Sequence, residues 1–279
     1  MARRLSFHVQ QNLTPGRLRA IVYAGADGIV DAEQLAMNCG FRVSVLEKVV
    51  LPFVRQLGLL HTSGMLLTES GRGFYKLAWQ FPTLFAEAMH ILLYTAHTFD
   101  STKRFSWAYA RVVDTLWTRS DCVLDGRAKA ELVGLIVEEA SKEFGMPLEE
   151  IAFSHHSIRG VLNWLQGLEP PVVESAYKTD RFRRRHFCHP AVFLWAVDFI
   201  YRAHSTAHGV RVFLTPERIE QLCRVCLLDP SGLENVLVMT KRTSDYERGG
   251  EFDYGTGGGF GRWILLARRC PVPTLPDGS

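Results

Sequence analysis

Between Lys178 and His186 the chain reads KTDRFRRRH, with arginine at four of the five positions from Arg181 to Arg185. Guanidinium groups at that density grip phosphates, and Phe182 among them can lie along a sugar or a base. Three further clusters invite chemistry but fit it less well. Cys223 and Cys226 form a CxxC, with His186, Cys188 and His189 upstream. A zinc site needs four ligands converging on one ion, whereas Cys226 falls on an apolar helical stripe with Leu222, where a buried thiol is expected. His155 and His156 are adjacent, so on a helix they point about 100° apart and do not share an ion. Residues 249–261 hold seven glycines, but a phosphate-cradling loop needs a strand before it, then a helix and a lysine. A strand pattern follows Gly261 instead. Glu138, Glu139 and Glu143 read as a solvated face, and no nucleophile elbow, Walker or zincin motif is present. The sequence predicts binding rather than catalysis, with no cofactor and no metal.

Bulk properties narrow the class. The 279 residues are 47% hydrophobic and 22% charged, the balance of a soluble globular protein of two or three domains. No apolar run reaches the ~18–20 residues that span a bilayer, and the start, Met-Ala-Arg-Arg-Leu-Ser, has no apolar core of a signal peptide. Six scattered cysteines suit reduced thiols, so a cytoplasmic, membrane-free protein is expected. Charge is unevenly spread. Residues 1–79 carry nine Lys/Arg against five Asp/Glu, residues 80–177 eight against thirteen, and residues 178–279 fifteen against eleven. Two basic ends around an acidic centre suit a polyanion such as double-stranded DNA.

The elements that must position these groups can be read along the chain. Thr14-Pro15 opens a helix over residues 15–26 through Leu18, Ile21 and Val22. Ile29-Val30 fits a short strand. Asp31 caps a second helix, Ala32 to Asn38, stopped at Cys39-Gly40. Ser44 caps a third, with Leu46, Val49, Val50, Phe53 and Leu57 on its apolar face and Pro52 kinking it. Leu59 to Thr68 then reads as a hairpin turning at Gly64, followed by another helix.

The phrase GLLHTSGMLLTESGRGFYKL, residues 58–77, resembles the wing region of bacterial winged helix-turn-helix proteins, and the element order over about 60 residues is similar. The resemblance implies that the third helix enters the major groove and the wing rests on the backbone. Arg42, Ser44, Lys48, Arg55 and Gln56 would then face DNA, with His61 and Ser63 on the wing.

From Phe74 to Leu168 the pattern is helical, around Leu84–Leu92, Trp107–Trp117, Glu131–Phe144 and Glu149–Leu168, until Pro170-Pro171 breaks it. After Pro190 the order of the N-terminal segment returns: a helix through Phe193 to Ile200, a strand over Val210–Leu214, a helix from Thr215-Pro216, a third helix Leu233–Arg242, and a hairpin over residues 245–267. SVLEKVVL (Ser44 to Leu51) matches SGLENVLV (Ser231 to Val238) at four positions, on the equivalent helix of each segment. Ser231, Asn235, Met239, Lys241 and Arg242 are the groove-facing candidates here, with Arg248 and Arg262 on the wing.

The expected fold is mainly α with small β-hairpins: two winged helix-turn-helix modules flanking a helical domain. The expected units are residues 1–79, an acidic helical domain over 80–170, and a basic linker plus winged-helix-like domain over 171–279. The predicted DNA contacts are Arg42, Ser44, Lys48, Arg55, Gln56, Lys178, Arg181, Arg183, Arg184, Arg185, Asn235, Lys241, Arg242, Arg248 and Arg262. The layout also resembles uncharacterised bacterial proteins encoded beside phage-defence genes, which implies a regulator or an accessory factor of a defence or modification system. Tandem winged helices are similar, too, to accessory subunits of chromosome-organising ATPase complexes, which implies a homodimer holding a protein partner.

Overall fold

Helix starts and stops follow the capping residues that the sequence supplies. The computed structural model describes residues 5–29, 31–177, 179–247, 250–257 and 261–270. After the short strand β1 (Leu5–Ser6), Thr14 accepts the Arg17 N–H at 3.4 Å and Pro15 opens α1 (Pro15–Ala26). The Asp31 carboxylate accepts the Glu33 N–H at 2.7 Å and starts α2 (Ala32–Cys39). Gly40 closes that helix with φ 67°, a left-handed conformation that favours glycine.

The third helix, residues 43–56, is α-helical at α3 (Val43–Val45), widens to a π turn at Leu46–Val50, and returns to α at α4 (Leu51–Gln56). The Leu51 N–H reaches back five residues to the Leu46 carbonyl. Pro52 has no N–H, and its ring crowds the carbonyl four residues earlier, so the turn ahead of it must open. The expected kink takes this form. Ser44 is not the cap: the helix begins after Arg42 with no side-chain cap bond. The expected wing hairpin is minimal, a single antiparallel bridge between Leu60 and Leu67. Ile29 lies in no strand, and Val30 is outside the described residues. Thr68 caps α5 (Glu69–Gln80) by accepting the Gly71 N–H at 3.0 Å.

The middle is helical as its periodicity predicts: α6 (Leu84–Phe99), α7 (Arg104–Arg119), α8 (Gly126–Phe144) and α9 (His155–Gln166). Two strands were not legible in it, β2 (Asp121–Leu124) and β3 (Ile151–Ala152). Glu149 and Glu150 belong to a 3₁₀ turn, and α9 starts only after the capping box of Ser154 and Ser157. β3 pairs in parallel with β1, Leu5 against Ile151.

The expected break near residue 170 is crossed by a sheet. β4 (Val173–Ala176) and β5 (Thr179–Arg183) pair antiparallel, and β5 pairs antiparallel with β2 of the middle. α6, buried along Leu84 to Ala96, packs against α10 (Pro190–Ala203), and one apolar core runs through all three segments. Burying so many apolar side chains together, rather than helix propensity, is what holds short helices in place.

The last segment continues with β6 (Val212–Phe213), α11 (Pro216–Val225), a 3₁₀ turn at Pro230–Gly232, α12 (Leu233–Glu247), β7 (Phe252–Gly257) and β8 (Gly261–Leu266). Tyr246 and Glu247 finish α12 rather than lead the hairpin. The three strands form an antiparallel sheet in the order β6-β8-β7. A Cβ at Gly255 would sit 2.8 Å from the Trp263 ring, so only glycine lets that indole lie across its neighbouring strand. The Arg211 guanidinium covers the same ring at 4.3 Å from its centroid. The chain is mainly helical with small two- and three-stranded sheets. Among the described residues no helix is long and apolar enough to cross a membrane.

Candidate functional site

The arginine run is not a linker. It is strand β5 and its exit, where alternate side chains point to opposite faces: Asp180 and Phe182 are buried, and Arg181 and Arg183 are exposed. Arg181 holds Asp121 with two bonds of 2.8 Å, and Arg183 reaches the same carboxylate at 3.3 Å. Those two guanidiniums keep the Asp121 pKa below its ordinary value. Arg184 donates to the Trp117 carbonyl at 2.7 Å, lies over that residue's ring at 3.9 Å, and stands 3.6 Å from Asp229.

Arg185 departs furthest from the expectation of a phosphate contact. It is 4% exposed and grips Glu87, itself 1% exposed, at 2.6 and 3.0 Å. It also donates to the Cys226 carbonyl at 2.8 Å. A side chain so enclosed is out of reach of a nucleic acid. Burial opposes the Glu87 charge, but Arg185 and the Glu169 N–H outweigh it and hold the pKa below the usual carboxylate value. One turn along α6, the fully buried His90 joins Tyr109 at 2.8 Å and the Val225 carbonyl at 2.9 Å. Its Nε2 therefore donates, Nδ1 accepts the Tyr109 O–H, and burial lowers the pKa to about 4.

The C-terminal helix keeps an open face. Ser231, Asn235, Met239 and Arg242 are exposed, and their spacing places them along one side of α12 and the turn that starts it. Lys241 is turned aside to Asp253 of the hairpin at 2.6 Å. Arg262 is exposed on β8 and pairs with Glu234 at 3.2 Å, tying hairpin to helix. Lys178 and Arg248 lie outside the described residues.

At the N-terminal end Arg42, Ser44, Lys48 and Gln56 are exposed. Arg55 instead braces the wing turn, donating to the Gly64 carbonyl at 3.0 Å. Lys48 and Gln56 open onto a cleft of about 540 Å³. Its other walls are the end of β1 and the segment after it, with Ser6, His8 and Gln10, and the turn into α7, Thr102 to Phe105. Its apolar lining is the part-exposed Val49 and Pro52, backed by the buried Phe53 and Phe105, whose ring centroids lie 4.9 Å apart. Lys48, Lys103 and Arg104 line it, and no acidic side chain does; Asp100 reaches Lys103 from outside at 3.9 Å. Burial lowers the Lys103 pKa against that carboxylate's pull. His8 donates or accepts at Ser157 over 2.5 Å, and burial followed by the nearby His156 lowers its pKa.

Sequence reasoning singled out Lys48 and Gln56 but missed Lys103, Arg104, His8 and Gln10. The adjacent Lys103-Arg104 ahead of a helix was the available signal. That three distant segments meet there was not visible. Cys188, Cys223 and Cys226 are all fully buried, and burial pushes the Cys223 thiol up to about 12. Such thiols are poor nucleophiles. Among the described residues no three His, Cys, Asp or Glu side chains are grouped to hold a metal ion. In comparisons with family profiles, curated proteins and solved structures, nothing matched this chain.

Proposed function

We propose that the chain is a non-enzymatic duplex-DNA-binding protein with a winged helix-turn-helix at each end, serving as a bacterial transcription regulator or an accessory factor of a DNA-defence or modification system. The observation that carries this reading is the open face of α12 beside the β7–β8 hairpin. Helix, strand, helix, helix, hairpin, with β8 between β6 and β7, is the arrangement in which a winged helix offers its third helix to the major groove and its hairpin to the backbone. Asn235 suits an adenine edge and Arg242 a guanine edge or a phosphate. The N-terminal segment has the three helices and a one-bridge hairpin but no described strand between its first two helices, so the C-terminal unit carries more of the contact.

The test is fluorescence anisotropy of a labelled duplex at about 50 and 200 mM salt, the range over which phosphate contacts weaken binding. Wild type binds at low salt and Asn235→Ala/Arg242→Ala binds several-fold more weakly. No binding by the wild type at low salt would sink the reading.

A protein-binding scaffold, dimeric through its winged helices, is a second reading with its own support. Trp79 and Phe81 at the end of α5 are 72% and 54% exposed, and Leu66 at the wing is 61% exposed. Large uncovered apolar side chains on one unit suit a protein partner. Light scattering at several concentrations decides it: a monomer throughout removes the homodimer.

A further inference from the structure

We propose that the cleft between helix 43–56 and the start of α7 binds a small phosphorylated molecule with an apolar or flat body, of about nucleoside monophosphate size. At about 540 Å³ it lies within the range of small-molecule sites. Two features specify the ligand.

The first is charge left without a partner of its own. Several cations of this protein are matched by a carboxylate: Arg181 and Arg183 by Asp121, Arg185 by Glu87, Lys129 by Asp180 at 2.7 Å, Lys241 by Asp253. The lining of the cleft supplies none. Lys48 and Arg104 form no ion pair among the described residues, and the buried Arg104 Nε has no hydrogen-bond partner there. Lys103 has only the distant Asp100. Cations converging from two elements, one of them poorly solvated, are stabilised by an anion lying between them.

The second feature is the floor. Val49 and Pro52, part-exposed and backed by the buried rings of Phe53 and Phe105, make the floor apolar, while Gln10 and Gln56 add amides at the wall. A bare inorganic anion would leave that floor in water. A body that covers it, with a phosphate at the cationic side, uses both. The walls come from three chain segments and enclose a compact ligand, whereas a duplex spreads its phosphates over an open surface.

The cleft shares Lys48 and Gln56 with the DNA contacts expected at the N-terminal end, whereas Asn235 and Arg242 lie on the other unit, so the DNA reading can fail at α12 without touching this inference. The experiment is isothermal titration of the whole chain with adenosine 5′-monophosphate, pyrophosphate and adenosine at low salt. The monophosphate is expected to saturate, and adenosine to bind at least about tenfold more weakly for want of charge-assisted bonds. Lys48→Ala, at an exposed position, and Lys103→Gln should each weaken the monophosphate about tenfold, with Arg242→Ala as an unaffected control. Failure of both monophosphate and pyrophosphate to saturate at low millimolar concentration overturns the proposal. So does adenosine binding as tightly as the monophosphate, or Lys48→Ala leaving the affinity unchanged. Pyrophosphate binding tighter than the monophosphate removes the apolar floor from the site.

Discussion

Arg185 and Glu87 meet face to face in the core, two nitrogens on two oxygens at 2.6 and 3.0 Å. The glutamate belongs to α6 and the arginine to the exit of β5, so the contact fastens the helical middle to the segment that follows. Removing one partner leaves the other charged and dry. Arg185→Ala or Glu87→Ala is expected to cost about 3–5 kcal/mol in urea unfolding. Replacing both, as Glu87→Leu/Arg185→Met, should cost less than either single change; a double variant worse than both singles would refute the assignment.

Acid should weaken the fold through His90. Its folded pKa, about 4, lies below its ordinary 6.5, so on acidification the unfolded chain takes up the proton first. The stabilising neutral form is fully favoured above pH 6.5, and its contribution is lost as pH falls from there towards 4. At about 1.4 kcal/mol per pH unit the loss is about 3 kcal/mol. Glu87, also depressed, adds a second loss below its ordinary carboxylate value. Urea midpoints at pH 7, 5.5 and 4.5 measure this, and a His90→Gln variant should flatten the upper part of the decline.

On the proposed DNA reading, exposure alone does not single out the contacting arginines. Arg181 and Arg183 are spent on Asp121, while Arg242 projects from the open face of α12. Arg242→Ala should lower the salt slope of log K by about 0.9 for one lost phosphate contact. Arg181→Ala/Arg183→Ala should leave both the slope and the unfolding midpoint nearly unchanged. A larger effect from the strand pair than from Arg242 would return the binding surface to β5.

Phe7 stacks edge-on against Trp107 at 5.7 Å and Phe144 at 5.2 Å, with no exposed surface. Phe7→Ala should cost about 3–5 kcal/mol by the cavity it leaves, measured by thermal or urea unfolding. A drop confined to the first 79 residues, with α7 and α8 unaffected in hydrogen exchange, would contradict this packing.

Much of the helical framework was legible because caps and periodicity are local. Thr14-Pro15, Asp31, Thr68 and Thr215-Pro216 each start a helix where their chemistry requires it. Pro52 announced its own distortion. What stayed hidden is non-local. Arg185 beside three other arginines carries a solvent-facing pattern until β5 is known to pair with β2, which turns its exit inward. Asp121-Leu124 has too little alternation to declare a strand without its partner. The cleft needed residues 6–10, 48–56 and 102–105 together, and no window along the chain contains them. For α12 the sequence pointed to the open face, but not to the Asp253 that draws Lys241 away.

The pairing of Leu5 with Ile151 has a consequence during synthesis. The two positions are 146 residues apart (151 − 5), and ribosomes add about 5–20 residues per second, so the first strand waits roughly 7–30 s for its partner to be made. Throughout that interval Phe7 and Val9, fully covered in the finished protein, are held out in water on a nascent chain whose neighbouring helices can already form. The strand around Leu5 is thus locked well after the local helices beside it, and a chaperone arriving in that interval would find its target there.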